Sequence, residues 1–432
     1  MSLFTGPMHY HLNGHKDLTM DKEVLKSIDP DYVYIPLVNG NAPCTPCVQV
    51  GDEVKVGTKI AERNDRFFLP IFSPVSGTVT AVEKFMTSSM TQADHLKIQN
   101  DHKHTAVRAF AAFNYEKATW EELLEFVKNA GMLGLGGAGF PTYLKYLKPE
   151  NGDLCAVNAV ECEPYLTADY KNIEENLSLL KTGTLALFKL SKAKKGCIAI
   201  KEDKKKQIED LKKTFEGTPI EIRTVPNIYP MGWERTLVYE LTGKRYNMLP
   251  IEAGMILNNA STAIALGNAI DNGMPITHKY VTVSGDALKD PKNVYVPVGT
   301  KAHEIIEAVG GYKEGVDNVL LIAGGPMMGR TIPNDAFVIA PQNNGLTVLI
   351  NKEEDEVACL RCGRCTTTCP SGLQPVRIAA AGKSKDEATL NKLHVMDCIE
   401  CGLCTYICPS KIAVTENVRR AKNFIRLQGG KK

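Results

Sequence analysis

The sequence lacks the features of a chain that enters or crosses a membrane. Residues 1–20 contain no uninterrupted apolar run, so we expect no secretory signal peptide. The longest uncharged stretch, residues 253–270, contains five Asn, Ser or Thr side chains, which a hydrocarbon core would not accept. We therefore expect no transmembrane segment, and any work at a membrane would depend on docking onto a partner.

An excess of charge of one sign is also missing. The 432 residues include 51 Lys and Arg against 49 Asp and Glu, and the net charge of +2 argues against binding to nucleic acid or anionic lipid. With 44% hydrophobic and 23% charged residues, the chain is typical of a globular protein of roughly three or four domains. Only the C-terminal stretch is basic, with one acid, Glu416, against Lys411, Arg419, Arg420, Lys422, Arg426, Lys431 and Lys432. It is a solvated tail or a docking segment for an acidic partner.

Cysteine, in contrast, is plentiful, and eight of the 13 cysteines form two identical runs. Each run reads C-x-x-C-x-x-C-x-x-x-C-P: Cys359, Cys362, Cys365, Cys369 and Cys398, Cys401, Cys404, Cys408. Bacterial two-cluster ferredoxins hold [4Fe–4S] cubes with this spacing, and the fourth cysteine of each run ligates the other cluster. We therefore predict one cube on Cys359, Cys362, Cys365 and Cys408, and a second on Cys398, Cys401, Cys404 and Cys369.

The alternative for these cysteines is zinc. Zinc sites pair C-x-x-C knuckles and make no use of a third evenly spaced cysteine followed by C-P. The runs therefore predict electron transfer, and thiolates of this kind indicate a reducing cytosol.

Residues 1–32 are predicted to form an N-terminal arm. Its histidines, His9, His11 and His15, could bind a metal, but we favour a mobile histidine-rich arm. Residues 33–100 show short apolar runs separated by glycine turns, which predicts a small β-domain. The phrases VGDEVKVGTKI and SPVSGTV resemble the lipoyl/biotinyl carrier sandwich. Arg66 stands where a carrier has its modifiable lysine, so we interpret the module as structural or docking.

An α/β domain with a largely parallel sheet is predicted over residues 101–276. Thr119 and Glu122 form a capping box ahead of a helical pattern, and strand-like runs at 154–160, 197–201 and 220–225 alternate with helical ones. Cys44 and Cys47, in the preceding module, form a C-x-x-C without such a βαβ setting, which favours structural cysteines.

Four motifs of this domain are candidates for a nucleotide site. Gly134, Gly136, Gly137 and Gly139 allow the close backbone approach that phosphates and flat rings require, although a packing turn would have the same composition. The motif at 158–164 follows a strand, where ligands of open α/β sheets bind. The motif at 229–234 precedes a helix, and the motif at 258–262 opens another with hydroxyl, amide and N–H donors.

These motifs, in this order and followed by iron–sulfur ligands, are similar to the FMN- and NADH-binding subunit of respiratory complex I. With the carrier-like module and two ferredoxin-type runs, the whole chain resembles the C subunit of the Rnf ferredoxin:NAD oxidoreductase complex. The resemblance implies non-covalent FMN on the glycine loop and NAD(H) stacked over it. It implies a catalytic positioning role for Glu163 at the nicotinamide. The cofactor-binding residues it implies are Gly134, Gly136, Gly137, Gly139, Phe140, Lys145, Asn158, Glu161, Tyr229, Glu234, Asn258, Asn259 and Thr262.

The sequence departs from complex I at three motif positions. Leu135, Val160 and Trp233 stand where complex I has arginine, aspartate and glutamate, which affects the expected NAD contacts more than the flavin contacts. After the flavin domain, a β-β-α-β order over residues 277–345 resembles the soluble-ligand-binding β-grasp module, and residues 324–326 are interpreted as a plain turn. Residues 346–432 are predicted to form a helical ferredoxin-like domain with two clusters.

The fold class expected is therefore multidomain α/β and α+β, and the function expected is that of a peripheral electron-transfer subunit. It would work at the cytoplasmic face of the membrane with the other subunits of an Rnf-type complex, meeting ferredoxin through one of them. Two alternatives stay open: a soluble flavin and iron–sulfur reductase, such as a cobalamin reductase, and an electron-wiring adaptor with a dead NADH site.

Overall fold

The structure is a computed structural model that describes residues 12–137, 139–148, 152–352 and 354–429. His9 and His11 of the predicted N-terminal arm, Ala138 of the glycine loop, and the terminal cations Lys431 and Lys432 lie outside these residues. No helix within the described ranges has the length and hydrophobicity needed to cross a bilayer.

The N-terminal segment from residue 12 to 31 is packed against the later domains. The Lys16 ammonium is buried and donates to the backbone carbonyl oxygens of Glu163, at 3.1 Å, and Leu166. The ring of His15 stacks on Tyr165 with centroids 4.7 Å apart. The expectation of a mobile arm is therefore wrong for these residues, because long-range contacts that leave no local sequence signal hold them.

The first module is a sandwich of short antiparallel strands. Its strands are β1 (Tyr32–Pro36), β2 (Val38–Asn39), β3 (Ala42–Pro43), β4 (Thr45–Pro46), β5 (Glu53–Val54), β6 (Lys59–Asn64), β7 (Phe68–Phe72), β8 (Gly77–Met86) and β9 (Gln92–Asn100). They form sheets in the orders β1-β9-β8-β5, β4-β6-β7 and β2-β3, around a core that includes Val33, Ile60 and Leu96. Arg66 lies in the hairpin between β6 and β7, the place where a carrier presents its lysine.

The α/β domain has a parallel sheet between helices. Its elements are α1 (Trp120–Asn129), β10 (Leu154–Asn158), α2 (Ala168–Glu175), α3 (Leu177–Ser191), β11 (Lys195–Lys201), α4 (Lys205–Thr214), β12 (Ile220–Val225), α5 (Glu234–Thr242), β13 (Met255–Asn259) and α6 (Ala260–Asp271). Two 3-10 turns lie at Thr142–Tyr146 and Pro250–Ala253. The predicted capping box of α1 is present, with both Thr119 and Glu122 hydrogen bonds formed.

All strands of this sheet run parallel, in the order β12-β11-β10-β13. The strands β10, β11 and β13 are mostly apolar because both faces are covered by helices, whereas the edge strand β12 carries Glu221 and Arg223. On one face, the closely packed helices α3 and α6 approach at Gly183 and Gly267, where a Cβ would meet backbone atoms at 1.7 and 2.0 Å. This packing fixes the start of α6 relative to the ends of the strands.

The third module is a five-stranded sheet with one helix. Its elements are β14 (His278–Ser284), β15 (Lys292–Pro297), α7 (Ala302–Ala308), β16 (Val319–Ala323), β17 (Arg330–Ile332) and β18 (Gly345–Ile350), and the strand order is β15-β14-β18-β16-β17. Strand β18 pairs with both β14 and β16. The boundary predicted at residue 345 therefore falls at the start of the module's last strand.

The C-terminal module is built from short helices. They are α8 (Arg364–Thr367), α9 (Pro375–Lys383), α10 (Glu387–Lys392), α11 (Leu403–Tyr406) and α12 (Val414–Gly429). Helix α12 packs on α9 through Val418 and Ala421, and this core also includes Ile378 and Leu390. The cysteine runs surround α8 and α11, so the helices serve as supports for the cysteine loops.

Candidate functional site

The first part of the site lies where strand order reverses in the parallel sheet. After β10, the chain moves to β11 and β12 on one side and then returns to β13 on the other side. Asn158, at the end of β10, is paired in register with Asn259, at the end of β13. Because ligands of open α/β sheets bind in the crevice at such a point, these two strand ends mark the candidate nucleotide site.

The glycine loop closes on itself and lies over the start of α6. The Gly134 N–H donates to the Phe140 carbonyl at 2.9 Å, and the Gly139 N–H donates to the Gly134 carbonyl at 3.1 Å. The Thr262 hydroxyl accepts from Leu135 N–H at 3.0 Å and donates to the Leu133 carbonyl at 3.1 Å. Thr262 therefore holds the loop, in addition to any contact it makes with a ligand.

Two glycines of this loop need to be glycine for different reasons. A Cβ on Gly136 would lie 2.9 Å from the Asn259 side-chain nitrogen, so a side chain there would displace the helix cap. Gly137 has φ of +137°, where side chains are strained, and a Cβ on it would meet nothing within 4 Å. Phe140, 41% exposed, borders the same side of the loop. The loop thus presents bare backbone towards open space.

The start of α6 is organised by an acid that the sequence analysis did not single out. Asn259 caps the helix by accepting from Ser261 N–H at 2.9 Å. The Asp169 carboxylate accepts from the Asn259 amide at 2.8 Å and from the Ser261 hydroxyl at 2.6 Å. These contacts fix the cap. A phosphate bound at this helix start would share the Asn259 and Ser261 donors with the Asp169 carboxylate.

Three buried polar atoms in the motifs have no hydrogen-bond partner among the described residues. They are Asn258 Oδ1, Thr142 Oγ1 and Trp233 Nε1. A buried polar group left unpaired is costly, and such groups mark places where a ligand supplies the missing partner. A ligand with polar edges, such as a flavin, would supply partners to such atoms, and the bare loop at Gly137 leaves space for one beside it.

Other predicted residues form a framework around the strand ends. The Asn158 amide donates to the Gly232 carbonyl at 2.9 Å, which ties the motif at 158–164 to the motif at 229–234. Lys145 is buried and donates to the Leu257 carbonyl at 2.7 Å. Burial lowers the pKa of Lys145, and the nearby Glu234 carboxylate opposes that shift. Glu234 itself accepts from the Tyr246 hydroxyl at 2.9 Å.

Two more charged groups lie beneath the loop. Glu161 accepts from Asp169 N–H at 3.0 Å, and burial raises the pKa of its carboxyl group while the Lys16 charge opposes that shift. Lys279, from β14, donates to the Leu135 carbonyl at 3.1 Å, and burial lowers the pKa of Lys279 to about 8. No sequence pattern pointed to Lys279, because it belongs to a different module and lies 144 residues from Leu135.

Glu163 lies at a contact between three modules. Its Oε1 accepts from the backbone N–H groups of Met327 at 2.7 Å and Met328 at 2.8 Å, in the turn after β16. The Tyr229 hydroxyl is 3.4 Å from Oε2 and donates to the Cys401 carbonyl at 2.7 Å. We call Glu163, Tyr229, Met327, Met328 and Cys401 the three-module junction. These contacts support a joining role for Glu163, and its contact with nicotinamide stays a prediction.

Four cysteines line one cavity in the C-terminal module. They are Cys369, Cys398, Cys401 and Cys404, the set predicted to hold the second cube. Burial raises the pKa of the Cys398 thiol to about 11 and that of Cys404 to about 12. In the described residues, no three Cys, His, Asp or Glu converge closely enough to hold a single metal ion. Thiols that surround a space suit a cube, in which each thiolate meets a different iron.

The other predicted set lies at the surface. Cys359 and Cys362 are exposed, and Cys365 and Cys408 are partly buried on the same core. Val357 N–H donates to the Ser410 carbonyl at 3.1 Å, which brings the beginning of the first run beside the end of the second. The fold thus supports the exchange of the fourth cysteine in both directions.

The two runs repeat the same backbone geometry. Arg361 and Glu400, two residues after the first cysteine of each run, have φ of +54° and +55°, and each N–H donates to that cysteine's sulfur at 3.4 Å. Gly363 and Gly402 have φ of +74° and +80°. Hydrogen bonds to the sulfurs are one means by which a protein sets cluster potential. The spacing of the cysteines in the sequence was sufficient to predict this part of the site.

Four family models match successive parts of the chain. They are described as the RnfC barrel sandwich hybrid domain (residues 5–103), the Nuo51 FMN-binding domain (127–268), the SLBB domain (280–331) and a 4Fe-4S dicluster domain (351–409). The chain thus contains an FMN-binding domain and a domain for two [4Fe–4S] clusters. The predicted fold class is confirmed.

Full-length relatives are similar to the chain over most of its length. The C subunit of the proton-translocating ferredoxin:NAD(+) oxidoreductase complex of Clostridium ljungdahlii is 34% identical, covering 86% of this chain and 83% of that protein. The Na(+)-translocating counterpart of Acetobacterium woodii is 33% identical, covering 81% of each. The C subunit of the ion-translocating oxidoreductase complex of Vibrio cholerae is 31% identical, covering 91% of this chain and 52% of that protein.

The fold is also found among solved structures. One of them is an NAD+-reducing [NiFe]-hydrogenase in its H2-reduced state, with a TM-score of 0.51 and 18% identity. The superposition covers 73% of this chain and 63% of that chain. At this identity the likeness concerns the architecture alone.

Proposed function

Because the chain belongs to the family of C subunits of ion-translocating ferredoxin:NAD(+) oxidoreductase complexes, we propose that it exchanges electrons between NADH and the other subunits of such a complex. It does so as a peripheral subunit docked at the cytoplasmic face of the membrane, and it meets ferredoxin only through a partner subunit. When bound, FMN exchanges a hydride with a nicotinamide nucleotide and single electrons with iron–sulfur clusters.

The chain's own residues bind and orient the cofactors in this proposal. The bare loop at Gly137 and the orphaned atoms of Asn258, Thr142 and Trp233 support a flavin held at the ends of β10 and β13. The residues proposed to hold it are Gly134, Gly136, Gly137, Gly139, Phe140, Lys145, Asn158, Asn258, Asn259 and Thr262. Glu161, Tyr229 and Glu234 frame the site, and no general acid–base pair is required of them.

One observation supports the proposed order of the two cubes along the path of the electrons from the flavin. Cys401, a member of the buried cysteine set, packs with Tyr229 and Trp233 of the flavin-binding domain, and its carbonyl accepts the Tyr229 hydroxyl. None of the four cysteines of the other set belongs to that hydrophobic cluster, and Cys359 and Cys362 are exposed. We therefore propose that the buried set holds the inner cube, next to the flavin-binding domain, and that the exposed set holds the outer cube.

The outer cysteines have the surroundings of a docking face. Val357 and Leu360, on either side of Cys359, are 53% and 67% exposed. Exposed apolar side chains next to a redox site favour coverage by a partner. A partner subunit seated here would reach the outer cube without opening the protein.

The contacts of Glu163 favour a second function, that of an electron-wiring adaptor. Oε1 of this carboxylate already accepts two backbone N–H groups, and the Tyr229 hydroxyl lies 3.4 Å from Oε2, so the side chain is engaged in joining modules. NADH oxidation by the purified protein, with an artificial electron acceptor, separates the two functions. Turnover supports the NADH-linked function, and its absence in protein that retains FMN and both cubes supports the adaptor.

Two cysteine variants test the wiring in anaerobically prepared protein. Cys369→Ala removes a ligand of the inner cube and Cys408→Ala removes one of the outer cube, so each should keep about four of about eight iron atoms. NADH should still reduce the remaining cube of Cys408→Ala. In Cys369→Ala, NADH should reduce the remaining outer cube slowly, although dithionite reduces it normally. Wild-type NADH-driven reduction in Cys369→Ala would show that the proposed order is wrong.

A further inference from the structure

A second cavity lies one strand away from the flavin site. It opens at the carboxyl ends of β11 and β12, between the N-terminal segment at residues 12–17 and the loop at 227–229, and has a volume of about 240 Å³. Its lining is mainly polar and includes Tyr229, which frames the flavin site, but none of the residues proposed to hold the flavin. The flavin and cluster assignments therefore leave this cavity without a function.

The lysine at the end of β11 points to the chemistry of this cavity. Lys201 is only 7% exposed and lines the cavity. Among the described residues, its ammonium group has no hydrogen-bond acceptor and no carboxylate oxygen within 4 Å, although other buried lysines, such as Lys279 and Lys422, have acceptors. An ammonium group that opens into a cavity and has no acceptor of its own suits a site that an anion completes.

Further donors surround Lys201. Lys16 lines the same cavity. Two of its three N–H groups donate to backbone carbonyls, and the third is available to a ligand. The Asn227 amide, also in the lining, makes no hydrogen bond within the described part of the chain. The lining contains two acids, Asp203 and Asp17. Asp203 forms an ion pair with Lys204 at 3.1 Å, so Asp17 is the one acid of this lining without an ion pair among the described residues.

The strand-to-helix turn adds a second feature of anion sites. Helix α4 begins at Lys205, directly after the turn that carries Lys201, and runs for ten residues. Its first turn contains no acidic side chain. The positive end of the helix dipole therefore lies at the edge where the unpaired ammonium is found.

We propose that this cavity is a binding site for a phosphate-type anion, held by Lys201 with Lys16 and Asn227. Inorganic phosphate and the phosphate of a nucleotide share this chemistry. The lysines supply charge, and the planar amide of Asn227 supplies a directed donor. The proposal concerns binding alone and stands apart from the NADH reaction.

The test is a titration of the anaerobic holoprotein with inorganic phosphate and, separately, with ADP, followed by calorimetry at constant ionic strength. Saturable binding of either probe to the wild type is expected. Lys201→Met keeps the length of the side chain and removes its charge, and should weaken that binding roughly tenfold or more. Lys195→Met makes the same change at the exposed opposite end of the same strand and should bind like the wild type.

FMN and iron contents should be unchanged in both variants, which separates loss of the anion site from loss of the fold. If Lys201→Met proves unstable, Asn227→Ala provides a smaller change in the same lining and should also weaken binding. Tighter binding of ADP than of phosphate would identify a nucleotide, and equal binding would identify phosphate alone. The proposal is overturned if neither probe binds the wild type, or if Lys195→Met weakens binding as much as Lys201→Met.

Discussion

Glu163 offers the sharpest test of how the modules are joined. Its carboxylate accepts the backbone N–H groups of Met327 and Met328 at 2.7 and 2.8 Å, and these donors belong to a different module. Glu163→Gln keeps the size and shape of the side chain and removes only the charge. The amide oxygen can still accept from both N–H groups, and the amide nitrogen can donate to the Tyr229 hydroxyl.

The magnitude follows from the change of each bond from charged to neutral. A hydrogen bond to a charged group contributes about 1.5–3 kcal/mol and a neutral one about 0.5–1.5 kcal/mol, so two bonds lose roughly 2–3 kcal/mol. Burial raises the pKa of Glu163, which shows that desolvation of the charge offsets part of this loss. We expect a net loss of about 1–3 kcal/mol in the stability of this contact. The fraction of molecules in which the turn at Met327 and Met328 is open should then increase roughly 5- to 150-fold.

Hydrogen exchange at the amides of Met327 and Met328 measures this population directly. We expect exchange to accelerate by that factor in Glu163→Gln, with FMN and iron contents unchanged, and to stay at the wild-type rate in Glu209→Gln, an exposed site on α4. Unchanged exchange in Glu163→Gln would refute the hydrogen-bond reasoning.

The same variant tests the predicted nicotinamide contact by a separate measurement. If Glu163 also positions the nucleotide, the specificity constant for NADH-driven flavin reduction should fall by roughly 10- to 150-fold, because a hydrogen bond to a charged group is lost. Reduction of the clusters by dithionite should not change. Wild-type NADH kinetics would remove Glu163 from the nucleotide site and leave it as a residue of the three-module junction alone.

Three further variants have expected outcomes. Gly137→Val should abolish FMN retention measured by absorbance, whereas Gly217→Val, at φ of +74° with open space around it, should retain FMN and only lower stability. Burial lowers the pKa of His278 to about 4, so the unfolded chain takes up a proton first, and stability should fall by about 1.4 kcal/mol per pH unit as the pH drops from 6.5 to 4. In thermal unfolding, His278→Gln should show a smaller decline than the wild type. His303→Gln, at an exposed site of the same module, should show the full decline. Tyr229→Phe should leave cluster content unchanged but shift the spectrum of the inner cube, since one hydrogen bond to a ligand's carbonyl is lost.

The parts of the site that depend on short covalent spacing could be predicted from the sequence. The cysteine set at 369, 398, 401 and 404 lines one cavity because the C-P turn and two-residue gaps leave few geometries. The capping box of Thr119 and Glu122 formed as predicted for the same reason. The strand that ends at Asn158 was also predicted, from its apolar run, whereas the strand that ends at Asn259 and the order of the strands were not.

The residues that sequence reasoning missed make contacts between segments far apart in the chain. Asp169 meets Asn259 across 90 residues, Lys279 meets Leu135 across 144, and Lys16 meets Glu163 across 147. Periodicity and motif spacing describe neighbours on one element, so they give no information about which side chain arrives from another module. The predicted end of the third module at residue 345 differs from the structure for a related reason. A strand belongs to the module whose sheet it joins, and β18, which begins at this residue, pairs with β14 and β16.

The three-module junction suggests why the motif at 158–164 has two acids with different contacts. Glu161 turns back into the α/β domain, where it bonds Asp169 N–H and faces the charge of Lys16. Glu163 turns outward to the third module, and Tyr229 extends the contact to the backbone of a predicted cluster ligand. A motif at the end of one strand therefore fixes the nucleotide domain, the β-grasp turn and the buried cysteine set relative to one another, which is the condition for electron transfer over a constant distance.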